Sequence, residues 1–239
     1  MMQNAKVAFV VYGEHKDGLP DPMGQPFIDD EIVAAAKMVL AEAGLDLVEH
    51  DVVLATKQEA RACFGALKKV DDLDAVVLFA GTWVWAAHLV AAVRDFAMTG
   101  KGVVLWTVPG SQGWRPVGGL VLHGALQEIG LLHRFVYGAA AEAETIARIV
   151  SYCRASQFKN LLNMTTVGAF GGRGMGQTCG VADPSQWMRM FGIDIDSRDT
   201  HQLLSTARAI GEDEIEAARQ RIQSLFAEPI PAGEMADRS

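Results

Sequence analysis

Short apolar runs that alternate with amphipathic stretches constrain the fold of this chain more than any other feature. The first run, residues 6–12, is almost continuously apolar and stops at Gly13. Such a run is typical of a strand that is buried on both faces of a parallel sheet. The stretch that follows residues 29–31, which are all acidic, repeats apolar residues at helical spacing as far as Gly44. These two segments therefore predict one strand–helix unit.

The same alternation continues through residue 158. Strands are predicted at 46–53, 75–80, 103–108 and 132–137, and helices at 58–69, 83–98, 120–129 and 141–158. Five strands that alternate with five helices predict an α/β fold with a doubly wound, parallel, five-stranded sheet. Ligands of such sheets bind at the carboxyl ends of the strands. We expect this first domain to span residues 1–160.

Residues 161–239 start a second α/β pattern. Strands are predicted at 163–170 and 193–195, and helices at 187–191, 199–208 and 211–226. Two strands with three helices are too few for a closed sheet. We therefore expect an incomplete second α/β domain, whose apolar faces are covered by further chain or by another subunit.

Composition excludes several classes of partner. The 239 residues carry a formal charge of −8 and contain no basic run with interleaved aromatic residues, which argues against nucleic acid. No apolar run reaches the roughly eighteen residues that a membrane helix needs. Cys63, Cys153 and Cys179 are an odd, widely spaced set, so neither a disulfide framework nor a zinc site is indicated. We expect a cytoplasmic protein without membrane contact.

The loops after the first, third and fourth predicted strands contain most of the polar and aromatic side chains expected at the ligand edge of the sheet. They carry His15, Trp83, Trp85, Gln112, Trp114 and Arg115. Tryptophan can stack on the apolar face of a sugar while Gln, His and Arg bind its hydroxyl groups. Alternatively, at least one of Trp83 and Trp85 packs into the core, since the two lie at a predicted helix start.

The glycine-rich segment 168–176 carries one fixed cation, Arg173. Its spacing fits neither a dinucleotide fingerprint nor a P-loop, so we interpret it as a shaped loop or as a tight turn between domains. The guanidinium of Arg173 suits carboxylate, phosphate or hydroxyl partners.

Metal and nucleophile patterns are weak. Asp194, Asp196 and Asp199 could bind a hard cation, but a solvated turn explains them better. Ser111 departs from the spacing of a hydrolase nucleophile. The residues themselves thus predict no catalytic residue and no metal ligand.

The order of these features resembles the amino-terminal half of the L-fucose isomerase and L-arabinose isomerase family. The features are a flavodoxin-like first domain, Gly81-Thr82-Trp83 after the third strand, the glycine-rich segment, and Asp183, Phe191-Gly192 and Asp199 behind it. The resemblance covers essentially the whole chain, and its most specific part is 167–204.

The resemblance implies a metal-dependent sugar ketol-isomerase, an enzyme that interconverts aldoses and ketoses with Mn²⁺. In that family the metal ligands lie beyond the positions that this sequence matches, so no catalytic or metal-binding residue is carried over. Trp83 matches the tryptophan that covers the substrate, His15 occupies the loop of another polar contact, and Arg173 stands at the site edge or between domains. The expected partners are a small-molecule sugar and either further copies in a homo-oligomer or a missing carboxyl-terminal half.

We therefore expect the amino-terminal part of such an isomerase, which contributes substrate-covering and subunit contacts and is inactive alone. Two alternatives stay open. One is a non-catalytic sugar-binding or regulatory subunit, and the other is a flavodoxin-like domain that binds a flavin or another nucleotide.

Overall fold

The computed structural model describes residues 4–14, 28–110, 114–163, 165–171 and 183–225. The elements in chain order are β1 (Ala5–Tyr12), α1 (Asp30–Glu42), β2 (Leu45–Glu49), α2 (Lys57–Leu67), β3 (Ala75–Ala80), α3 (Ala86–Ala97), β4 (Gly102–Thr107), α4 (Arg115–Glu128), β5 (Arg134–Tyr137), α5 (Ala143–Leu162), β6 (Thr166–Phe170), α6 (Pro184–Phe191), β7 (Asp194–Arg198), α7 (Thr200–Ala209) and α8 (Glu212–Gln223). The chain divides into two compact units, Met1–Met164 and Thr165–Ser239. The division lies close to residue 160, where the sequence pattern starts over.

The first unit is built on a five-stranded, all-parallel sheet with strand order β2-β1-β3-β4-β5. Because the strand order reverses between β1 and β3, the sheet is doubly wound and flavodoxin-like. This confirms the predicted fold class.

Helices cover both faces of the sheet, which explains why its central strands are apolar on both sides. All six residues of β3 are buried, as are those of β4. One face packs against α2, α3 and α4, and the other packs against α1 and α5. On the second face, the Phe79 ring lies 5.6 Å from the Phe9 ring and 5.1 Å from the Trp106 ring, so three neighbouring strands share one aromatic row.

Several predicted element boundaries are wrong, and three of them concern the first unit's sheet and the helices beside its carboxyl edge. Helix α4 begins at Arg115 rather than at residue 120, because Pro116 suits a first helical turn and the glycine pair 118–119 lies inside the helix. Helix α3 begins only at Ala86, so Trp83 and Trp85 precede it. Strand β2 ends at Glu49 instead of residue 53, and Leu54 forms an isolated bridge to Tyr12.

The second unit contains a two-stranded parallel sheet, in which Thr166 pairs with Asp194 and Phe170 with Arg198. Asp183 caps α6 and Asp199 caps α7 through side-chain hydrogen bonds to backbone amides. Among the described residues of this unit, Ile193 is the only buried apolar side chain. None of the described helices in either unit is both long and apolar enough to cross a membrane.

Candidate functional site at the carboxyl edge of the sheet

The carboxyl ends of β1, β3 and β4 meet at the edge of the sheet where its strand order reverses. Gly13 and Glu14 follow β1, and residues 81–85 follow β3. The first turn of α4 lies beside them, after the loop that leaves β4. In open α/β sheets this is the usual position of a ligand.

The exits of β1 and β3 are bound tightly to each other. The backbone amide of Glu14 donates to the carbonyl of Trp83 at 3.0 Å, and the hydroxyl of Thr82 donates to the carbonyl of Glu14 at 3.2 Å. A Cβ at Gly13 would stand 2.5 Å from the Thr82 hydroxyl oxygen. Only glycine therefore allows this approach, and the backbone of Trp83 is held in place by it.

Trp83 and Trp85 form an aromatic pair on this edge. Their ring centroids lie 4.5 Å apart and their planes meet at 66°, which is an edge-to-face arrangement. Trp85 is 62% exposed and Trp83 is partly exposed. Trp85 is therefore outside the core, whereas Trp83 is covered over much of its surface and is accessible only in part.

Helix α4 brings a third tryptophan to the same edge. Trp114 precedes the helix with a left-handed backbone (φ 49°), is 55% exposed and supplies no side-chain cap. Its neighbouring turn is close to β3, because a Cβ at Gly118 would lie 2.6 Å from the Thr82 carbonyl oxygen and 3.1 Å from the Trp83 Cα. A left-handed residue other than glycine costs about 1–3 kcal/mol, and such outliers concentrate at functional sites.

Arg115 is the buried cation of this edge. Its side chain is 5% exposed, and its Nη1 lies 3.9 Å from a carboxylate oxygen of Asp29, the residue that caps α1. Its carbonyl accepts a buried hydrogen bond of 2.9 Å from the hydroxyl of Thr107 at the end of β4. The sequence indicated a sugar-facing arginine here, but not its burial, which depends on how the strand exits pack.

The predicted site residues divide into two groups. Trp83 and Trp114 lie at the carboxyl edge, where the sequence places them. His15, Gln112 and Arg173 lie outside the described residues, so their contacts with a sugar stay predictions.

The first unit has two other polar features. The Tyr12 hydroxyl is buried without a hydrogen-bond partner among the described residues, and burial raises its pKa well above the ordinary value. His123 in α4 and His133 before β5 form a direct contact of 2.8 Å between Nδ1 and Nε2. Sequence spacing gave no sign of the histidine pair, because it joins a helix to a strand start.

The described residues contain no group of three His, Cys, Asp or Glu side chains that could hold a metal ion. The acidic cluster of the second unit is already engaged: Asp196 pairs with Arg198 at 2.6 Å, and Asp199 caps α7. Cys63 and Cys153 are free and buried, and burial raises the pKa of each thiol to about 12. Neither thiol is therefore a nucleophile at neutral pH.

Comparison with known proteins adds no family to this description. No protein-family model matches the chain, and no curated protein matches it significantly. The fold and the edge define a flavodoxin-like α/β chain with three tryptophans and a buried arginine at the carboxyl ends of its strands.

Proposed function

We propose that this chain is the sugar-contacting, amino-terminal part of a ketol-isomerase of the L-fucose and L-arabinose isomerase type. The observation that carries the proposal is the Trp83–Trp85 pair on the exit of β3, at the position where the strand order reverses. Trp85 is exposed and Trp83 is partly exposed. The resemblance implies that Trp83 covers the substrate. In this role the chain binds and orients the sugar.

The tryptophans of the edge suit a hydroxyl-rich ligand. Indole rings present flat apolar surface on which the C–H face of a pyranose or an open-chain sugar packs. Trp83 is the best placed of the three, because its backbone is fixed between β1 and α4 through Glu14 and Gly118. A fixed backbone at Trp83 reduces the conformational freedom that is lost when the ligand binds.

The resemblance also implies Mn²⁺, which polarises the two substrate oxygens while a carboxylate moves the proton. The described residues do not fit such a centre, since they offer no set of three suitable ligands. Their proposed role is therefore confined to holding the sugar.

Calorimetric titration of the chain with L-fucose and L-arabinose tests the proposed contact. We expect binding that weakens about two- to tenfold in Trp83→Ala, the worth of one aromatic contact. Trp187→Ala, which removes a tryptophan of the second unit, is the matched control and should leave the affinity unchanged. Equal affinities in wild type and Trp83→Ala would remove the basis of the proposal.

A second candidate is a non-catalytic sugar-binding or regulatory subunit. It is favoured by the same shortage of metal ligands among the described residues. The two are separated by assaying L-fucose and L-arabinose conversion with MnCl₂, for this chain together with any protein encoded directly downstream. Conversion supports the isomerase, whereas tight sugar binding by this chain alone without conversion supports the binding subunit.

A flavin- or nucleotide-binding domain would differ in a simple way. Its purified form would carry a chromophore or a nucleotide that absorbs in the visible or near-ultraviolet range. We expect a spectrum of tryptophan and tyrosine alone.

We also propose a cytoplasmic homo-oligomer. Its support is the run of half-exposed apolar side chains on α4, with Val117 at 38%, Leu120 at 53% and Val121 at 40% exposure. Light scattering should give a multiple of 25.7 kDa, and a monomer at all concentrations would contradict it.

A further inference from the structure

Arg115 has an unusual environment for a buried charge. Arginine carries a cationic side chain, yet only 5% of this one is exposed. Buried charges in proteins are normally paired and hydrogen-bonded. The surroundings of Arg115 therefore indicate what it is built to bind.

Its own protein partners are incomplete. The buried Nε finds no acceptor among the described residues, and the nearest carboxylate oxygen, on Asp29, is 3.9 Å from Nη1. That separation exceeds a hydrogen bond. The other carboxylate oxygen of Asp29 accepts from the amide of Ile32 at 3.2 Å, so it serves the cap of α1.

The guanidinium points into the carboxyl edge of the sheet. Nη1 faces Asp29 ahead of α1, and a Cβ placed on Gly110, after β4, would lie 3.4 Å from Nη2. The fork thus lies between the exit of β4 and the start of α1, on the residue that follows Trp114.

The amino end of α4 adds a second source of positive potential at the same place. The helix is fourteen residues long, carries no acidic residue in its first turn, and receives no side-chain cap from Trp114. An uncapped helix start with a strong axial dipole attracts anions through its backbone amides. Arg115 itself occupies that first turn, so the dipole and the guanidinium reinforce each other.

We propose that Arg115 and the amino end of α4 bind an oxyanion, either a phosphate or a carboxylate group, carried by the ligand of the carboxyl edge. The planar fork of arginine matches both groups in a bidentate geometry. Together with the proposed sugar contacts of Trp83, on which this substrate class rests, the ligand is an acidic or phosphorylated sugar. Asp29 then lowers the affinity for the anion, because its negative charge competes with the anion for Arg115.

Inorganic phosphate is the first probe, measured by calorimetry at low ionic strength, where electrostatic binding is least screened. We expect saturable binding that Arg115→Gln weakens at least about tenfold, the loss of one charge-assisted contact pair. Arg94→Gln, at an exposed arginine in the last turn of α3, is the control and should bind like wild type. Absence of phosphate binding, or equal binding by Arg115→Gln, would overturn the proposal.

Asp29→Asn separates an anion site from a purely structural link between Arg115 and α1. Asparagine caps a helix as well as aspartate does, so α1 keeps its cap while the competing charge disappears. An anion site predicts phosphate affinity at least about threefold higher in Asp29→Asn, with little change in melting temperature. A structural ion pair predicts a lower melting temperature and no gain in affinity, and that result would contradict the proposal.

Should Arg115→Gln fail to fold, Arg115→Lys keeps the charge but removes the bidentate fork. We expect it to fold and to bind phosphate several-fold more weakly than wild type, and unweakened binding would count against a fork-shaped site. The Asp29→Asn titration also tests the anion site when no Arg115 variant can be measured.

Matched sugars distinguish the source of the anion. Ribose 5-phosphate is compared with ribose, and galacturonate with galactose. Tighter binding of the phosphate ester identifies a phosphorylated ligand, and tighter binding of the uronate identifies a sugar acid. Equal or weaker binding of both charged sugars, relative to their neutral parents, would overturn the assignment. If neutral sugars fail to bind while phosphate still depends on Arg115, the anion site stands and the proposed sugar function fails.

Discussion

At the scale of single residues, His123 and His133 form the first unit's clearest pH-sensitive contact. Nδ1 of His133 lies 2.8 Å from the carbonyl oxygen of Leu131, so this nitrogen carries a proton. Nδ1 of His123 lies 2.8 Å from Nε2 of His133, and one of these two nitrogens donates to the other. The His123 ring also stacks on Phe135, with centroids 4.3 Å apart. The contact is therefore lost when both rings are doubly protonated, because both nitrogens are then donors.

This geometry predicts that acid weakens the first unit. Burial lowers the pKa of His123 below its ordinary 6.5, and charge on His133 lowers it further. The folded state thus binds fewer protons than the unfolded state, so the contribution to stability is complete above about pH 6.5 and is lost as pH falls through the folded pKa. We expect the free energy of unfolding to decrease between pH 7 and pH 5, by less than about 1.4 kcal/mol per pH unit for one group.

Urea unfolding at a series of pH values measures this dependence. In His123→Gln the slope between pH 5 and pH 7 should be smaller than in wild type. His201→Gln, which removes an exposed histidine of the second unit, should leave the slope as it is. Identical slopes in wild type and His123→Gln would show that the pair does not titrate as described.

Residues at the candidate site were predictable to different degrees. Trp83 follows a buried apolar run and a Gly-Thr turn, so its position at the carboxyl edge follows from the local pattern. The burial of Arg115 does not follow from the local pattern. It depends on how the exits of three strands pack against the cap of α1. The exposure of Trp85 and the partial exposure of Trp83 do not follow from the local pattern either, since they depend on α3 beginning only at Ala86, after both residues.

At the scale of elements, glycines decide how closely α4 approaches the sheet. A Cβ at Gly118 would meet the Thr82 carbonyl oxygen at 2.6 Å, and one at Gly119 would meet the Thr107 side chain at 2.6 Å. Gly124, on the same helix, has no neighbour within 4 Å. Gly118 and Gly119 therefore allow α4 to pack closely on the sheet, whereas Gly124 makes no such contact.

These contacts predict opposite effects for the same substitution. Gly118→Ala should destabilise the protein by about 1–3 kcal/mol, because the methyl group meets rigid backbone. Gly124→Ala should stabilise it by about 0.5–1 kcal/mol, since alanine is the better helix former and space is open. Chemical denaturation of the two variants checks both signs, and a stabilising Gly118→Ala would refute the close packing of α4 on β3.

Helix α2 begins with a complete capping box. The Thr56 hydroxyl accepts from the amide of Glu59 at 3.2 Å, and the Glu59 carboxylate accepts from the amide of Thr56 at 2.8 Å. Thr56→Ala should cost about 1 kcal/mol in unfolding free energy, while Thr56→Ser keeps the hydroxyl and should cost little. Equal losses in the two variants would indicate that the box does not stabilise the helix.

Element types were more predictable than element limits. Periodicity identified all five strands of the sheet, and the signal is strongest for β1, β3 and β4, which are apolar runs between turn residues. It placed the start of α4 five residues late, because a proline and two glycines usually mark a break. Here Pro116 occupies the first turn and the glycines face close neighbours, which only the assembled sheet reveals.

At the scale of the whole molecule, the core belongs to one unit. Both buried clusters, one on each face of the sheet, consist of residues no later than Cys153. In the described part of the second unit, large apolar side chains such as Phe170, Met190 and Leu225 are 60%, 54% and 78% exposed. The first unit therefore has buried apolar clusters of its own, whereas the described part of the second unit exposes most of its large apolar side chains.

This difference predicts that residues 1–164 fold on their own. The fragment should show a cooperative thermal transition and the near-ultraviolet dichroism of a fixed aromatic row around Phe79 and Trp106. Removal of the second unit should change the melting temperature little. A fragment without near-ultraviolet signal would contradict the view that the first unit contains its own core.

The central claim is that the tryptophans at the carboxyl edge contact a sugar. The chain has five tryptophans, so its indole N–H groups give five signals in a proton–nitrogen correlation spectrum, assigned by Trp→Phe variants. On titration with L-fucose or L-arabinose, the Trp83 signal should shift in a saturable way, while those of buried Trp106 and of Trp187 in the second unit stay in place. An unmoved Trp83 signal at the solubility limit of both sugars would contradict the account.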